Sequence, residues 1–295
     1  MKIAVGIATY RRREVLSETL RSLQQQTRCA DRILIATTSL EDVDPIVAAD
    51  TGAEVVMSAA GLCRQRNAIL DRLGDEDVIL FFDDDFLPAD DFLEQTENLF
   101  REAAQKGEPL RVATGELIAD GIIGPGFSYE QALQYLENAD RSRLNPAIRP
   151  VYNGYGCNMA LDARSIRNRQ LRFDERLAIY GWLEDVDFTR RLGSDGKMIK
   201  TGLLTGVHRG VKLGRTSGKR LGYAQIVNPA YLARRRSCSW WFAFRKMTRN
   251  LVRNMIGCVI PDPLVDRRGR LWGNLIGFSD LLRGRFQPER IEQLS

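Results

Sequence analysis

Five consecutive apolar residues, Val78-Ile79-Leu80-Phe81-Phe82, run straight into three carboxylates, Asp83-Asp84-Asp85, and then into Phe86. Unbroken apolarity over so short a run describes a strand buried on both faces, because a free-standing helix would need more residues. Side chains alternate along extended chain, so Asp83 and Asp85 point one way and Asp84 the other. Two carboxylates on one side of a strand end repel each other unless a cation sits between them. In open α/β sheets, ligands bind beyond the carboxyl ends of strands. One reading is therefore a divalent, oxygen-liking ion, Mg²⁺ or Mn²⁺, carrying a phosphate. The plainer alternative is a solvated acidic turn.

The rest of the chain supplies a setting for that strand. Lys2 to Ala8, Arg32 to Thr37 and Glu54 to Met57 read as strands, with Thr9 to Arg13 a turn after the first. Val15, Leu16, Leu20 and Leu23 share a helix face, and helical spacing returns from Cys63 to Leu70. Pro88 is expected to open a helix whose buried stripe is Phe92, Leu93, Thr96, Leu99 and Phe100. Further on, Leu110 to Leu117 reads as a strand and Ser128 to Asn138 as an amphipathic helix. Val151 to Leu161 reads as a strand interrupted by Gly154 and Gly156, Glu184 to Leu192 as a helix, and Met198 to Val207 as the last strand. Strands alternating with helices predict an α/β fold, a mostly parallel central sheet flanked by helices. Gly210 to Gly222, rich in Gly, Ser and basic residues, is expected to be a mobile surface segment. This divides the chain into a domain over 1–222 and an extension over 223–295.

With 295 residues and ordinary apolar and charged fractions, the chain can bury a large core. Five scattered cysteines without metal-ligand spacing fit reduced thiols, and the N-terminus reads as a first strand rather than a secretion signal. No run approaches the 18 or so apolar residues of a membrane span. The net charge of +5 hides an asymmetry: from Thr205 onward there are 18 Lys/Arg against 5 Asp/Glu, whereas the remainder has 25 against 33. An acidic body carrying so basic a tail points the tail toward an anionic surface.

A second cluster follows in Tyr180-Gly181-Trp182-Leu183-Glu184-Asp185-Val186-Asp187. Acids in a first helical turn stabilise the helix, which accounts for one of them. An aromatic ring beside several acids is also a way to hold a sugar. His208, the only histidine, falls where the last strand ends and is either a metal ligand or a structural residue.

In order and spacing these pieces resemble the family 2 inverting glycosyltransferases of the GT-A (Rossmann-like) fold. The matching residues, within Met1 to about Gly210, are Gly6-Ile7-Ala8-Thr9-Tyr10-Arg11-Arg12, Gly61 with Arg66-Asn67, and Asp83-Asp84-Asp85 in place of Asp-x-Asp. Gly156-Cys157-Asn158-Met159-Ala160 and Gly181-Trp182-Leu183-Glu184-Asp185 complete the set. The resemblance implies that Thr9, Tyr10, Arg11, Thr38, Gly61, Arg66, Asp83 and Asp84 serve the nucleotide-sugar donor. It implies Asp85 and His208 as ligands of Mg²⁺ or Mn²⁺, Asp185 as catalytic base with Glu184 beside it, and Asn158, Met159, Gly181 and Trp182 toward the acceptor. One departure stands out. Where the family has an acid after strand two that reads the nucleobase, this chain has Ala36-Thr37-Thr38-Ser39, with Glu41 and Asp42 only later.

From Tyr231 to Ile256, Trp240, Phe244, Met247, Leu251 and Met255 form one helical stripe, with Arg245, Lys246, Arg249 and Arg253 to the other side. A basic amphipathic helix with tryptophans is suited to lying in a membrane interface; a helix packed on the enzyme with a solvated basic face is the alternative. Gly269 to Gln287 suggests a second, shorter helix. Similar tails occur on bacterial exopolysaccharide glycosyltransferases. The expected activity is transfer of a sugar to a lipid-linked oligosaccharide acceptor at the cytoplasmic membrane face, with peripheral contact to an anionic membrane and no nucleic acid. Two other readings compete. A nucleotidyltransferase would need a Gly-rich loop after strand one, and a nucleic-acid-binding tail would leave Asp83–Asp85 and Glu184-Asp185 without a role.

Overall fold

A computed structural model describes residues 1–141, 144–213, 217–260 and 263–294. They fall into two compact units, Met1–Ala60, Arg64–Arg172 and Leu192–Gly214 in the first, and Gly61–Cys63, Phe173–Arg191 and Arg215–Ser295 in the second.

In chain order the elements up to the last strand are β1 (Ile3–Ala8), α1 (Arg13–Leu23), β2 (Arg32–Thr37), α2 (Pro45–Thr51), β3 (Ala53–Met57), α3 (Leu62–Leu70), β4 (Val78–Asp83) and β5 (Phe86–Pro88). Then come α4 (Phe92–Gln105), β6 (Leu110–Asp120), α5 (Tyr129–Glu137), β7 (Arg149–Pro150), β8 (Asn158–Asp162), α6 (Ala163–Asn168), α7 (Glu184–Leu192) and β9 (Lys197–His208). The strands form one sheet in the order β3-β2-β1-β4-β8-β6-β9-β5, with β7 on β9. The parallel arrangement expected from the sequence holds for β3-β2-β1-β4. Beyond β4 the sheet is mixed: β8 runs antiparallel to β4 and β6, and β9 is parallel to β6 but antiparallel to β5.

As the apolar run requires, β4 is buried on both faces. Val78, Leu80 and Phe82 join Ile3, Val5, Ile7, Leu16, Leu20 and Phe92 in one core, while Ile79 and Phe81 are fully buried on the other face. Asp84 and Asp85 alone link β4 to β5, yet three strands stand between them in the pairing order. In a flat sheet that gap would be roughly 19 Å, and the link reaches only about 10 Å. The sheet must curl, and the β6–β9 ladder shows where. Its register jumps between Gly115↔Thr201 and Glu116↔Thr205, a bulge that bends β9.

Several sequence expectations are corrected here. Pro88 ends strand β5 instead of opening a helix, and α4 starts at Phe92. The proline is tolerated because β5 lies at the sheet margin, where a missing N–H breaks no second ladder. The strand expected over 151–161 begins only at Asn158, after irregular chain around Gly154 and Gly156.

The second unit contains all of α7 but its last residue and three further helices, α8 (Gly218–Arg234), α9 (Trp240–Val259) and α10 (Arg267–Leu282). Within the segment expected to be mobile, 214–216 lie outside the described residues, but Gly218 to Gly222 is the ordered start of α8, capped by Ser217. Its glycines serve packing: a Cβ on Gly222 would sit 2.0 Å from the Arg270 carbonyl, and one on Gly273 would sit 2.0 Å from that of Lys219. The stretch from Tyr231 to Ile256 is two helices, broken where Arg236 takes φ 64° and Ser239 accepts the Phe242 N–H to start α9.

Candidate metal and donor site

Sheet register brings the acids together. Asp83 ends β4 and Asp85 follows two residues later, just ahead of Phe86, which pairs with His208. On the other side of β9, His208 pairs with Asp120, the last residue of β6. The His208 imidazole therefore has Asp120 Oδ1 2.9 Å from Nδ1, with Asp85 Oδ1 3.4 Å and Asp83 Oδ2 3.9 Å from Nε2. One ligating atom each from Asp83, Asp85 and His208 lies within 4.8 Å of the others.

Asp84 points the other way, as strand alternation demands. It is buried and accepts from Thr9 Oγ1 at 2.8 Å and Arg12 Nη1 at 2.7 Å. Burial pushes its carboxyl up while Arg12 pulls it down. The net shift is upward, because burial and the nearby Asp85 charge outweigh Arg12 and Thr9. For Asp85, burial raises the carboxyl, but the His208 bond and charge, then Arg12 and the Val211 N–H, together hold it below the usual range. Burial likewise lowers the His208 imidazole, yet the bonds to Asp120 and Asp85 win and push it up to about 10.

This donor set suits a cation. Three carboxylates face one imidazole, and Asp83 is 35% exposed, which opens the cluster to solvent. Two carboxylates suit Mg²⁺ or Mn²⁺, and an imidazole suits a transition metal, so the mixed set fits Mn²⁺ better than Mg²⁺. Asp120 on Nδ1 fixes the ring so that Nε2 faces Asp83 and Asp85.

Of the other expected residues in the first unit, Arg66 and Thr9 touch the acids of the cluster. Arg66 is almost fully buried; its Nη2 donates to Asp83 Oδ1 at 3.2 Å and to the Gly156 carbonyl at 2.8 Å, and its guanidinium lies over the Phe81 ring. Thr9 is consumed by Asp84, whereas Tyr10 is exposed with the Arg11 guanidinium 5.1 Å above its ring. Thr38 is half-buried. Asp42 is buried, and its carboxylate accepts from Thr37 Oγ1 at 3.4 Å, while Glu41 stays exposed. Asn158 and Met159 have no exposed surface, and Asn158 Oδ1 is held by Thr114 Oγ1 at 2.8 Å.

In the second unit, Gly61 and Gly181 take φ values of 127° and 64°, which explains glycine at both. Half-buried Trp182 packs against Ala178, Tyr223 and Val227. The three acids of α7 separate clearly. Asp187 is fully buried and bonded to Arg191 and Ser237, and Glu184 is buried. Asp185 is half-buried, with Oδ1 on the Val186 N–H at 2.8 Å.

Two residues that sequence reasoning did not single out complete the first-unit cluster. Asp120 was findable as an acid ending a strand next to glycine. Arg12 sits in a run of three arginines, where the sequence offers no means of choosing one.

A curled, mixed sheet flanked by helices, followed by a helical C-terminal region, is a GT-A-like fold. Residues 4–106, from β1 through α4, match the model of Glycosyl transferase family 2. Among solved structures, S. aureus TarS is similar at 14% identity and a TM-score of 0.52, over 79% of this chain and 40% of that one. GalNAc-T7, solved with UDP, GalNAc and Mn²⁺, gives 14% identity and a TM-score of 0.58, over 96% of this chain and 56% of that one. The chain thus spans less than two thirds of the length of these relatives, and at such identity the likeness is one of fold. No curated protein matches the chain.

A single histidine makes the electrostatics directly measurable. Because its folded pKa lies above the ordinary 6.5, the protonated network stabilises the metal-free fold fully below about pH 6.5 and is lost as pH rises through about 10. NMR titration of the metal-free protein is expected to keep His208 protonated through pH 8, and Mn²⁺ binding there to release a proton and tighten as pH rises. A midpoint near 6.5 would contradict this network.

Proposed function

We propose that this protein is a metal-dependent inverting glycosyltransferase that moves a sugar from a nucleotide-sugar donor to a lipid-linked saccharide acceptor in polysaccharide synthesis. The observation that carries the reading is the Asp83–Asp85–His208 cluster at the end of β4, in a chain whose residues 4–106 match the family 2 model. A divalent cation held by these three residues would neutralise the charge gathering on the departing nucleoside diphosphate. GalNAc-T7, similar in fold and solved with UDP, GalNAc and Mn²⁺, supports a nucleotide donor and a divalent cation.

The chain's own residues would then do the following. Arg66, fixed by Phe81 and the Gly156 carbonyl, holds Asp83 and steadies the donor. Thr9 keeps Asp84 turned away, while exposed Tyr10 and Arg11 border the nucleotide, and Thr38 and Gly61 are further donor residues in this reading. Asn158 and Met159 underlie the sugar floor, and Gly181 and Trp182 serve the acceptor. Asp185 takes the acceptor hydroxyl's proton, since Asp187 is committed to Arg191 and Ser237 and Glu184 is more deeply buried. Inversion requires no covalent nucleophile.

Residues from 223 onward are proposed as a monotopic module on an anionic leaflet at the cytoplasmic face. Trp240, Trp241, Phe244, Val252, Met255 and Val259 are exposed on α9 beside Arg245, Arg249 and Arg253. On α10, Trp272, Leu275 and Leu282 are exposed at helical spacing. Each basic residue near such a leaflet contributes about 1 kcal/mol, and the aromatics add an apolar contribution that salt does not remove. Among the described residues no helix is long and apolar enough to cross a membrane.

Two experiments test these assignments once a screen for metal-dependent hydrolysis has found the donor. Asp185→Asn is expected to keep donor affinity while turnover falls by about 10²-fold or more; near-normal turnover would shift the role to Glu184. Replacing Trp240, Trp241 and Phe244 together with Ser is expected to abolish liposome binding while donor hydrolysis persists. Continued sedimentation with anionic liposomes at roughly 0.5 M salt, a screening length of about 4 Å, would exclude α9 as the membrane contact.

A further inference from the structure

We propose that Arg12 is a positioning residue that holds the segment after His208 in place, so that Asp85 presents a single oxygen to the cation cluster. The inference rests on the cation-binding reading above and concerns a residue that makes no contact with Asp83 or His208 among those described.

Arg12 flanks the N-terminus of α1 but leaves its own side chain out of the capping. The guanidinium is instead spread over three acceptors. Nε donates to the Leu213 carbonyl at 2.8 Å, Nη2 to the Val211 carbonyl at 2.9 Å and Nη1 to Asp84 Oδ1 at 2.7 Å. Nη1 also lies 3.6 Å from Asp85 Oδ2. Val211 and Leu213 belong to the segment that leaves β9 directly after His208. That segment is tied to Asp85 twice more, by the Arg209 N–H on the Asp85 carbonyl at 2.9 Å and the Val211 N–H on Asp85 Oδ2 at 2.8 Å. With Oδ2 occupied by Val211, only Oδ1 is turned toward His208 Nε2. Arg12 fixes the two carbonyls on either side of Lys212 and thereby fixes the Val211 amide.

Charge and geometry make opposite predictions for this residue. As a plain cation so close to Asp85, Arg12 would compete with a divalent ion, and its removal would tighten binding. As a planar fork reading three acceptors at once, its loss would free the segment, let Asp85 rotate and weaken binding. A lysine carries the charge without the fork and cannot span both carbonyls and Asp84.

The test uses Arg12→Lys and Arg12→Gln in the full chain, with circular dichroism confirming the fold. Free Mn²⁺ is measured by electron paramagnetic resonance, and Val211 amide exchange is measured without metal. Both variants are expected to bind Mn²⁺ about tenfold or more weakly, and the Val211 amide is expected to exchange faster in each. Wild-type affinity in Arg12→Lys, or tighter binding in Arg12→Gln, would overturn the proposal. So would unchanged Val211 exchange, which reads the strap even if the wild-type protein holds no Mn²⁺; that last result would count against the cation reading instead. If Arg12→Gln fails to fold, Arg12→Lys decides alone.

Discussion

Four carboxylates, Asp83, Asp84, Asp85 and Asp120, are gathered at one end of a sheet, three of them around one imidazole, and the first unit is built to bear that charge. Each acid has its own counterpart. Asp84 turns away to Thr9 and Arg12, Asp83 meets buried Arg66, Asp85 takes the Val211 N–H, and Asp120 holds the far nitrogen of His208. Without these partners the desolvation of so many acids would be costly. With them, the remaining negative charge is directed to the space between Asp83, Asp85 and His208. The bulge in β9 and the two-residue link from β4 to β5 make the arrangement possible by curling the sheet until its margin meets its centre.

Much of this was legible in the sequence because it follows from period and position. The double burial of β4, the opposed directions of Asp83 and Asp84, the helix from Glu184 to Leu192 and the placement of His208 at a strand end all come from local patterning. What was not legible depends on long-range pairing. No local pattern says that Phe86 pairs with His208, so β5 leaves no trace in the sequence and Pro88 resembles a helix start. The antiparallel β8 lies between β4 and β6 for reasons of topology alone. Choosing Arg12 from three consecutive arginines requires knowing where residues 211 and 213 lie, about two hundred positions away. The glycines of α8 suggested mobility, whereas in the folded chain they let α10 approach.

The second unit follows a different physical logic. Its helices are joined through glycine contacts and a buried amide network, in which Asn254 donates to Gln225 and Asn274, and Asn274 donates to the Gly222 carbonyl. Packing of that kind leaves large side chains free for the outside, and α9 places tryptophan and phenylalanine there among arginines. Apolar area and positive charge on one exposed helix suit a charged interface better than bulk water.

The central claim, that Asp83, Asp85 and His208 together bind a cation, can be tested through the one histidine. Pulsed electron paramagnetic resonance on the Mn²⁺-loaded protein detects nitrogen coupled to the metal, and growth on ¹⁵N-histidine changes that signal at His208 alone. A nitrogen coupling that switches with the isotope and disappears in Asp85→Ala is the predicted result. Bound Mn²⁺ with no histidine coupling would contradict the account.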